Sequence, residues 1–223
     1  MAQAADNPVL VMGPQRSGTT MLCVILGRHP EIHLVNEAPW DSFRMHDTTD
    51  PVRLDLLREE LEDRGELPPN EALSPAGRAL NGMDLIDGFL RVHAARYGKP
   101  RFGLKDPQLG YWFGPVLERY PNARAVTIVR DPRASASSLV RQRLHIGNLY
   151  YGAKRWVEDM ETYQAVGEAY PEQVLTLQYE EFVRDPEICF ERVCAHFGIT
   201  HLPEVLEPDP DNIKINLHEG NIR

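Results

Sequence analysis

The stretch Val9–Leu22, VLVMGPQRSGTTML, constrains this chain more than any other. An apolar run meets Gly13, four residues, Gly18 and two threonines, and the apolar run TMLCVILG continues from there. A strand that ends in a glycine-bearing turn and re-enters as a helix gathers backbone N–H groups and the positive end of a helix dipole around one point. That point is an anion site. A triphosphate-binding loop carries a lysine after its second glycine. Here Thr19 stands in that place, and Arg16 lies inside the loop. An arginine fork suits phosphate or sulfate oxygens. Ser17, Thr19 and Thr20 add hydroxyl donors on either side of Gly18. The loop suits one terminal anionic group and has no evident need of a metal.

The rest of the chain repeats the same alternation. Pro8 to Met12 reads as a short buried strand, and the following helix stops near Gly27 and Pro30. IHLV is a second strand, ending at Asn36 and Glu37. From Asp50 to Gly98 the pattern is helical and amphipathic, broken by GELPPNEALSPAG. RFGLKDP holds a short strand cut off by Pro107, and YWFGPVLERYP a helix stopped by Pro121. ARAVTIV is the clearest strand and is expected at the centre of a sheet. DPRASASSLVRQR reads as a helix with Asp131 as N-cap and Pro132 at its first position. A long helix, the strand QVLTLQY and a second Asp-Pro helix ending at Gly198 complete the series. Strands alternating with helices predict an α/β fold: a parallel central sheet with helices on both faces, a P-loop-NTPase-like three-layer sandwich. The 223 residues suit a single domain over 1–223, with a helical insertion at about 50–98 and a loop-like tail at about 199–223.

Charge narrows the partners. A net charge of −9 argues against a broad nucleic-acid or anionic-membrane surface. The opening MAQAADNP lacks a basic n-region, and the next apolar run is far too short for a bilayer. A cytoplasmic location without membrane insertion is therefore expected. Cys23, Cys189 and Cys194 are an odd set without CxxC spacing and read as idle thiols. His29 and His33 are separated by Pro30 and have no third ligand nearby, so no metal is expected.

A second basic motif, VTIVRDPRASASSL, puts Arg130 at a strand end and Ser138 less than two turns into the next helix. Both can address the crevice above the C-terminal strand edge, where open parallel sheets bind ligands. An arginine and a hydroxyl there can hold a second phosphate. Lys105 sits at another strand end, just after a buried strand, and so at the same ligand-binding edge.

Together, GPQRSGTT and VRDPRASASS resemble the sulfotransferases that use 3′-phosphoadenosine 5′-phosphosulfate. The likeness is strongest to the tyrosylprotein-sulfotransferase-like and bacterial branch. HPEIHLVNE, GLKDP and LTLQYEEFVRDPEICFERVCAHFGI extend it over Val9 to about Ile199. The resemblance implies that Arg16, Ser17, Gly18, Thr19 and Thr20 grip the 5′-phosphosulfate. It implies that Arg130 and Ser138 hold the 3′-phosphate, that Glu37 is the general base, and that Tyr179 helps hold the nucleotide. Arg16 and Lys105 then stabilise the transferring group, and adenosine 3′,5′-bisphosphate is the product. The cytosolic small-molecule enzymes carry a histidine in a KTH-type motif; GLKDP has none. A small-molecule, carbohydrate or peptide acceptor is expected, with no finer identity readable. Lys214 in the tail is a further candidate for the 3′-phosphate, and Trp40, Phe43 and Trp112 stay open between lining the acceptor pocket and packing in the core. Two alternatives stay open on sequence alone: a P-loop small-molecule kinase with an altered loop, and a nucleotide-binding module without catalysis.

Overall fold

A computed structural model of the chain describes residues 7–37, 46–63, 81–141 and 148–207. Five strands, β1 (Val9–Met12), β2 (Ile32–Asn36), β3 (Arg101–Lys105), β4 (Arg124–Val129) and β5 (Val174–Gln178), form one sheet in the order β2-β3-β1-β4-β5. Every pairing is parallel. Each return therefore needs a crossover, and helices supply it. ARAVTIV, expected at the centre, is β4 and lies one place off it. The loop-bearing β1 takes the middle, between β3 and β4.

The helices are α1 (Thr19–Gly27), α2 (Pro51–Asp63), α3 (Gly82–Arg96), α4 (Phe113–Arg119), α5 (Pro132–Arg141), α6 (Leu149–Ala169), α7 (Tyr179–Arg184) and α8 (Pro186–Phe197). The period of two along β1 divides them into layers. Val9 and Val11 enter one apolar cluster with Leu22 and Leu26 of α1 and Phe190, Val193 and Phe197 of α8. Leu10 and Met12 enter the other, with Phe89 and Leu90 of α3, Phe113 of α4 and Tyr163 of α6. Both faces of the sheet are thus covered, and β1 is buried throughout. Burying each such side chain contributes roughly 1.5–3 kcal/mol.

The helical segment at about 50–98 contains the crossover from β2 to β3. Its α3 starts with a capping box, Asn81 accepting from the Asp84 N–H and Asp84 from the Asn81 N–H. Most of α3 is buried. Its Asp87 is held by Arg91, Arg119 and the Tyr120 hydroxyl, so the buried carboxylate is paired. In the tail, Pro203–Leu206 forms a 3-10 turn whose Val205 joins the α1–α8 cluster. Lys214, Trp40 and Phe43 lie outside the described residues. Trp112 packs at the margin of the α3 cluster. No described helix is long and apolar enough to cross a membrane. All three cysteines are free and buried.

Candidate active site

Parallel pairing puts all five strand C-termini on one edge of the sheet. The residues singled out in the sequence sit along that edge in strand order. Glu37 follows β2, Lys105 ends β3, the Gly13–Gly18 loop follows β1, Arg130 follows β4 and Tyr179 follows β5. At about 4.8 Å per strand, the row from β2 to β5 spans roughly 19 Å.

The loop is shaped by its two glycines. Gly13 has φ 146°, and a Cβ there would lie 2.2 Å from the Ile128 carbonyl oxygen. Gly18 has φ 101°, and a Cβ there would lie 2.5 Å from Cδ2 of Tyr179. Only glycine permits both the backbone turn and the close approach. Arg16, between them, is also left-handed at φ 65°. A non-glycine residue in that region costs about 1–2 kcal/mol and usually marks a functional constraint. Behind Gly18, α1 opens with Thr19 and Thr20, with no acidic residue in its first turn. Its N-terminal amides have no side-chain cap. The Ser17 hydroxyl is buried and has no hydrogen-bond partner among the described residues. A buried donor in that condition is costly, and an anionic oxygen would satisfy it.

At the β2–β3 end, Lys105 is 2% exposed and its ammonium is ion-paired with Glu37 Oε1. The Glu37 N–H donates back to the Lys105 carbonyl at 2.7 Å. Glu37 too has a positive φ, 63°, which turns its side chain out of the strand direction. The Asp106 carboxylate accepts the Gln108 N–H and opens the next turn. Burial pushes the Cys23 thiol up to about 12, with Lys105 pulling it back and Glu37 adding to the rise. Cys23 is therefore an inert thiol within the field of the pair.

At the β4–β5 end, the Arg130 guanidinium carbon lies 4.3 Å from the centre of the Tyr179 ring. Its buried Nε has no partner among the described residues. Asp131 does not claim it, because that carboxylate holds Arg133 at 2.6 Å and is drawn well below the usual carboxylate range by that bond. Tyr179, expected simply after a strand, opens the short helix α7, which the sequence pattern did not show. In the middle, Arg16 Nε donates to Ser138 Oγ at 3.1 Å. The residues expected at the two phosphates thus meet directly, while Lys105 bonds to Glu37 rather than standing alone opposite Arg16.

The histidines take structural places. His29 is buried against the Thr200 carbonyl at 2.8 Å, and His33 stacks on Tyr97. Among the described residues, no group of three or more His, Cys, Asp or Glu is arranged around a common metal position.

Fold and edge together describe an α/β protein with a glycine-bearing loop after its middle strand and cationic and hydroxyl side chains along the C-terminal edge of the sheet. The sulfotransferase family matches residues 8–204, and the chain belongs to that family. Its class of activity is accordingly that of a sulfotransferase. A Caenorhabditis briggsae relative described as a putative protein-tyrosine sulfotransferase is 21% identical over 212 residues, covering 90% of this chain and 69% of its own. Protein-tyrosine sulfotransferase 2 of Gallus gallus is 25% identical over 207 residues, 89% of this chain and 53% of its own. The chain thus spans only about half of the latter. Among solved structures, a sulfotransferase domain from the curacin biosynthetic pathway superposes with a TM-score of 0.64 at 18% identity, over 91% of this chain and 78% of that one. Mouse sulfotransferase SULT7A1, complexed with PAP, gives 0.52 at 13% identity, over 96% and 64%.

Tyr111, Trp156 and Asp159 also bond to one another or to the segments at this edge, and no motif marks them. The trace of Trp156 and Asp159 in the sequence is a stripe along α6, Gly152, Trp156, Asp159 and Tyr163, at helical spacing.

Proposed function

We propose that this chain transfers the sulfuryl group of 3′-phosphoadenosine 5′-phosphosulfate to a hydroxyl or amine acceptor. One observation carries the reading: the order of side chains along the sheet edge. The acid–cation pair Glu37–Lys105 stands at β2–β3, the anion loop at β1, and the second cationic cluster Arg130–Tyr179 at β4–β5. That order suits a ligand with a reactive anion near one end and another phosphate toward the other. The PAP held by the mouse structure is the nucleotide left when such a donor has lost its sulfuryl group.

In this reading the loop amides, Arg16 and Ser17 hold the 5′ group, and Arg130 and Ser138 hold the 3′-phosphate. Glu37 takes the proton from the acceptor as its new S–O or S–N bond forms. Lys105 stabilises charge on the phosphate oxygen as the old S–O bond breaks. The bisphosphate then leaves. The relatives are described as protein-tyrosine sulfotransferases, so a peptide phenol is the first acceptor class to try.

The test is thermal stabilisation by adenosine 3′,5′-bisphosphate and, separately, by ATP with Mg²⁺. At a hundredfold excess over Kd, a ligand specific to the folded state stabilises by about 2.7 kcal/mol. The bisphosphate is expected to raise Tm and ATP–Mg²⁺ to leave it. No response to the bisphosphate overturns the reading; a response to ATP–Mg²⁺ alone favours a kinase.

A further inference from the structure

Asp159 is fully buried on α6, yet it is a carboxylate. Its Oδ2 accepts the backbone N–H of Gln15, in the loop between Gly13 and Gly18, at 3.2 Å. Its Oδ1 faces Arg155 Nε at 2.9 Å and the Tyr111 hydroxyl at 3.4 Å. A buried charge costs several kcal/mol unless it is paired and hydrogen-bonded, and an apolar residue in its place often gives a more stable protein. Burial indeed pushes the Asp159 carboxyl above its ordinary range, against the pull of Arg155. Packing alone therefore gives no reason for an acid here.

The neighbours on the same stripe of α6 supply one. Trp156 Nε1 donates to the Arg130 carbonyl at 3.2 Å. The Tyr163 hydroxyl donates to the Pro107 carbonyl, two residues past Lys105. Gly152 lets α6 close on Ala136 of α5, where a Cβ would lie 3.1 Å from the Ala136 carbonyl oxygen. One helix face thus bonds to the segments leaving β1, β3 and β4, and rests on the helix that carries Ser138.

We infer that Asp159 is a positioning residue for the loop: from α6 it holds the Gln15 N–H and so sets the attitude of Arg16, Ser17 and the following amides toward a bound anion. Gln15 adjoins Arg16, whose left-handed backbone gives the guanidinium its direction. The Gln15 N–H is committed to Asp159 on α6, so this bond orients the loop without joining the chemistry. Arg155 and Tyr111 hold the carboxylate in place. The inference rests on the proposed function only for the identity of the anion.

The test uses the full chain and two readouts. Amide hydrogen exchange over residues 14–20 reads the loop directly, and titration with adenosine 3′,5′-bisphosphate reads the anion site. Asp159→Ala is expected to speed loop exchange at least tenfold, leave β4 and β5 protected to the same degree, and raise the bisphosphate Kd by tenfold or more. Asp159→Asn keeps an oxygen for the Gln15 N–H and is expected to stay within about threefold of the unaltered protein on both readouts. Unchanged loop exchange in Asp159→Ala overturns the inference, as does equal impairment by Asn and Ala. Should Asp159→Ala not fold, Tyr111→Phe and Arg155→Gln each remove one anchor, and each is expected to speed loop exchange several-fold; no change in either overturns it. If the unaltered protein fails to bind the bisphosphate, the functional reading falls, while the exchange result still decides the role of Asp159.

Discussion

The guanidinium of Arg16, in the loop after β1, donates through Nε to the hydroxyl of Ser138 on α5, at 3.1 Å across 122 positions of sequence. The bond joins the two motifs proposed to hold the donor's phosphates. Ser138→Ala removes the acceptor from a half-buried position. A hydrogen bond of this kind is worth about 0.5–1.5 kcal/mol net, more when one partner is charged. The bisphosphate Kd is expected to rise roughly three- to tenfold, with Tm nearly unchanged. Calorimetric titration and a thermal melt check the two, and an unaltered Kd would remove Ser138 from the site.

The two ends of the edge are expected to separate under mutation. Arg130→Ala deletes the cation held over Tyr179 and should weaken the bisphosphate by about 1.5–3 kcal/mol, the value of a charge-assisted bond. Glu37→Gln should leave that affinity within about twofold and lower turnover by roughly 10²–10⁴, the usual contribution of a general base. Binding and single-turnover assays on both variants distinguish the roles. Normal turnover in Glu37→Gln would place the base elsewhere.

Gly18 offers a test of the loop itself. Its φ of 101° is hostile to any side chain, and a Cβ would press on the Tyr179 ring. Gly18→Ala should cost about 1–2 kcal/mol through the backbone alone, displace Tyr179 and weaken nucleotide binding. Adding Tyr179→Ala relieves the clash but not the φ. The double variant should therefore regain only part of the lost Tm in a thermal melt; full recovery would mean that the backbone strain is negligible.

Stability is expected to fall on mild acidification, through His196. Its Nε2 lies 3.1 Å from the Ala125 carbonyl and 3.2 Å from that of Gln173, at the start of β4 and just before β5. Burial lowers its pKa, the Gln173 and Ala125 carbonyls oppose the fall, and nearby Arg124 reinforces it. The unfolded chain therefore takes up the proton near pH 6.5, and the folded chain only at lower pH. The stability of the neutral form is complete above about 6.5 and is lost as pH drops from there toward the folded pKa. Tm should be flat from pH 8 to 7 and decline below, and His196→Gln should flatten that decline. An identical slope in the variant would acquit His196.

The local chemistry of the edge is legible in the sequence alone. Gly13 and Gly18 are required by backbone angles that only their own positions set, and a strand, a turn and a helix are consecutive in the chain. The unbroken apolar run VLVM marks a strand covered on both sides, as parallel strands are. Arg16, Lys105 and Arg130 are recognisable because each stands at or close to a strand end, and parallel strands end on one edge; Tyr179 is singled out by the family resemblance alone. The same reasoning puts ARAVTIV at the centre, one place off. Strand order follows from which crossover passes over which strand, and β1 and β4 are alike in apolar composition. The short helix α7 leaves no mark because YEEFVR is too brief for a period to show.

What the sequence by itself determined is the repertoire: a parallel α/β sheet, a loop for an anion, and the side chains available at its edge. Only the tertiary structure decided the partnerships. Glu37 meets Lys105 because β2 and β3 are neighbours in register, Asn36 beside Lys105. Arg16 meets Ser138 because α5 returns over the loop, and Asp159 reaches Gln15 because α6 lies against the ends of three strands. A hydrogen bond acts over about 3 Å, and no local pattern encodes a distance across 68, 122 or 144 positions of chain.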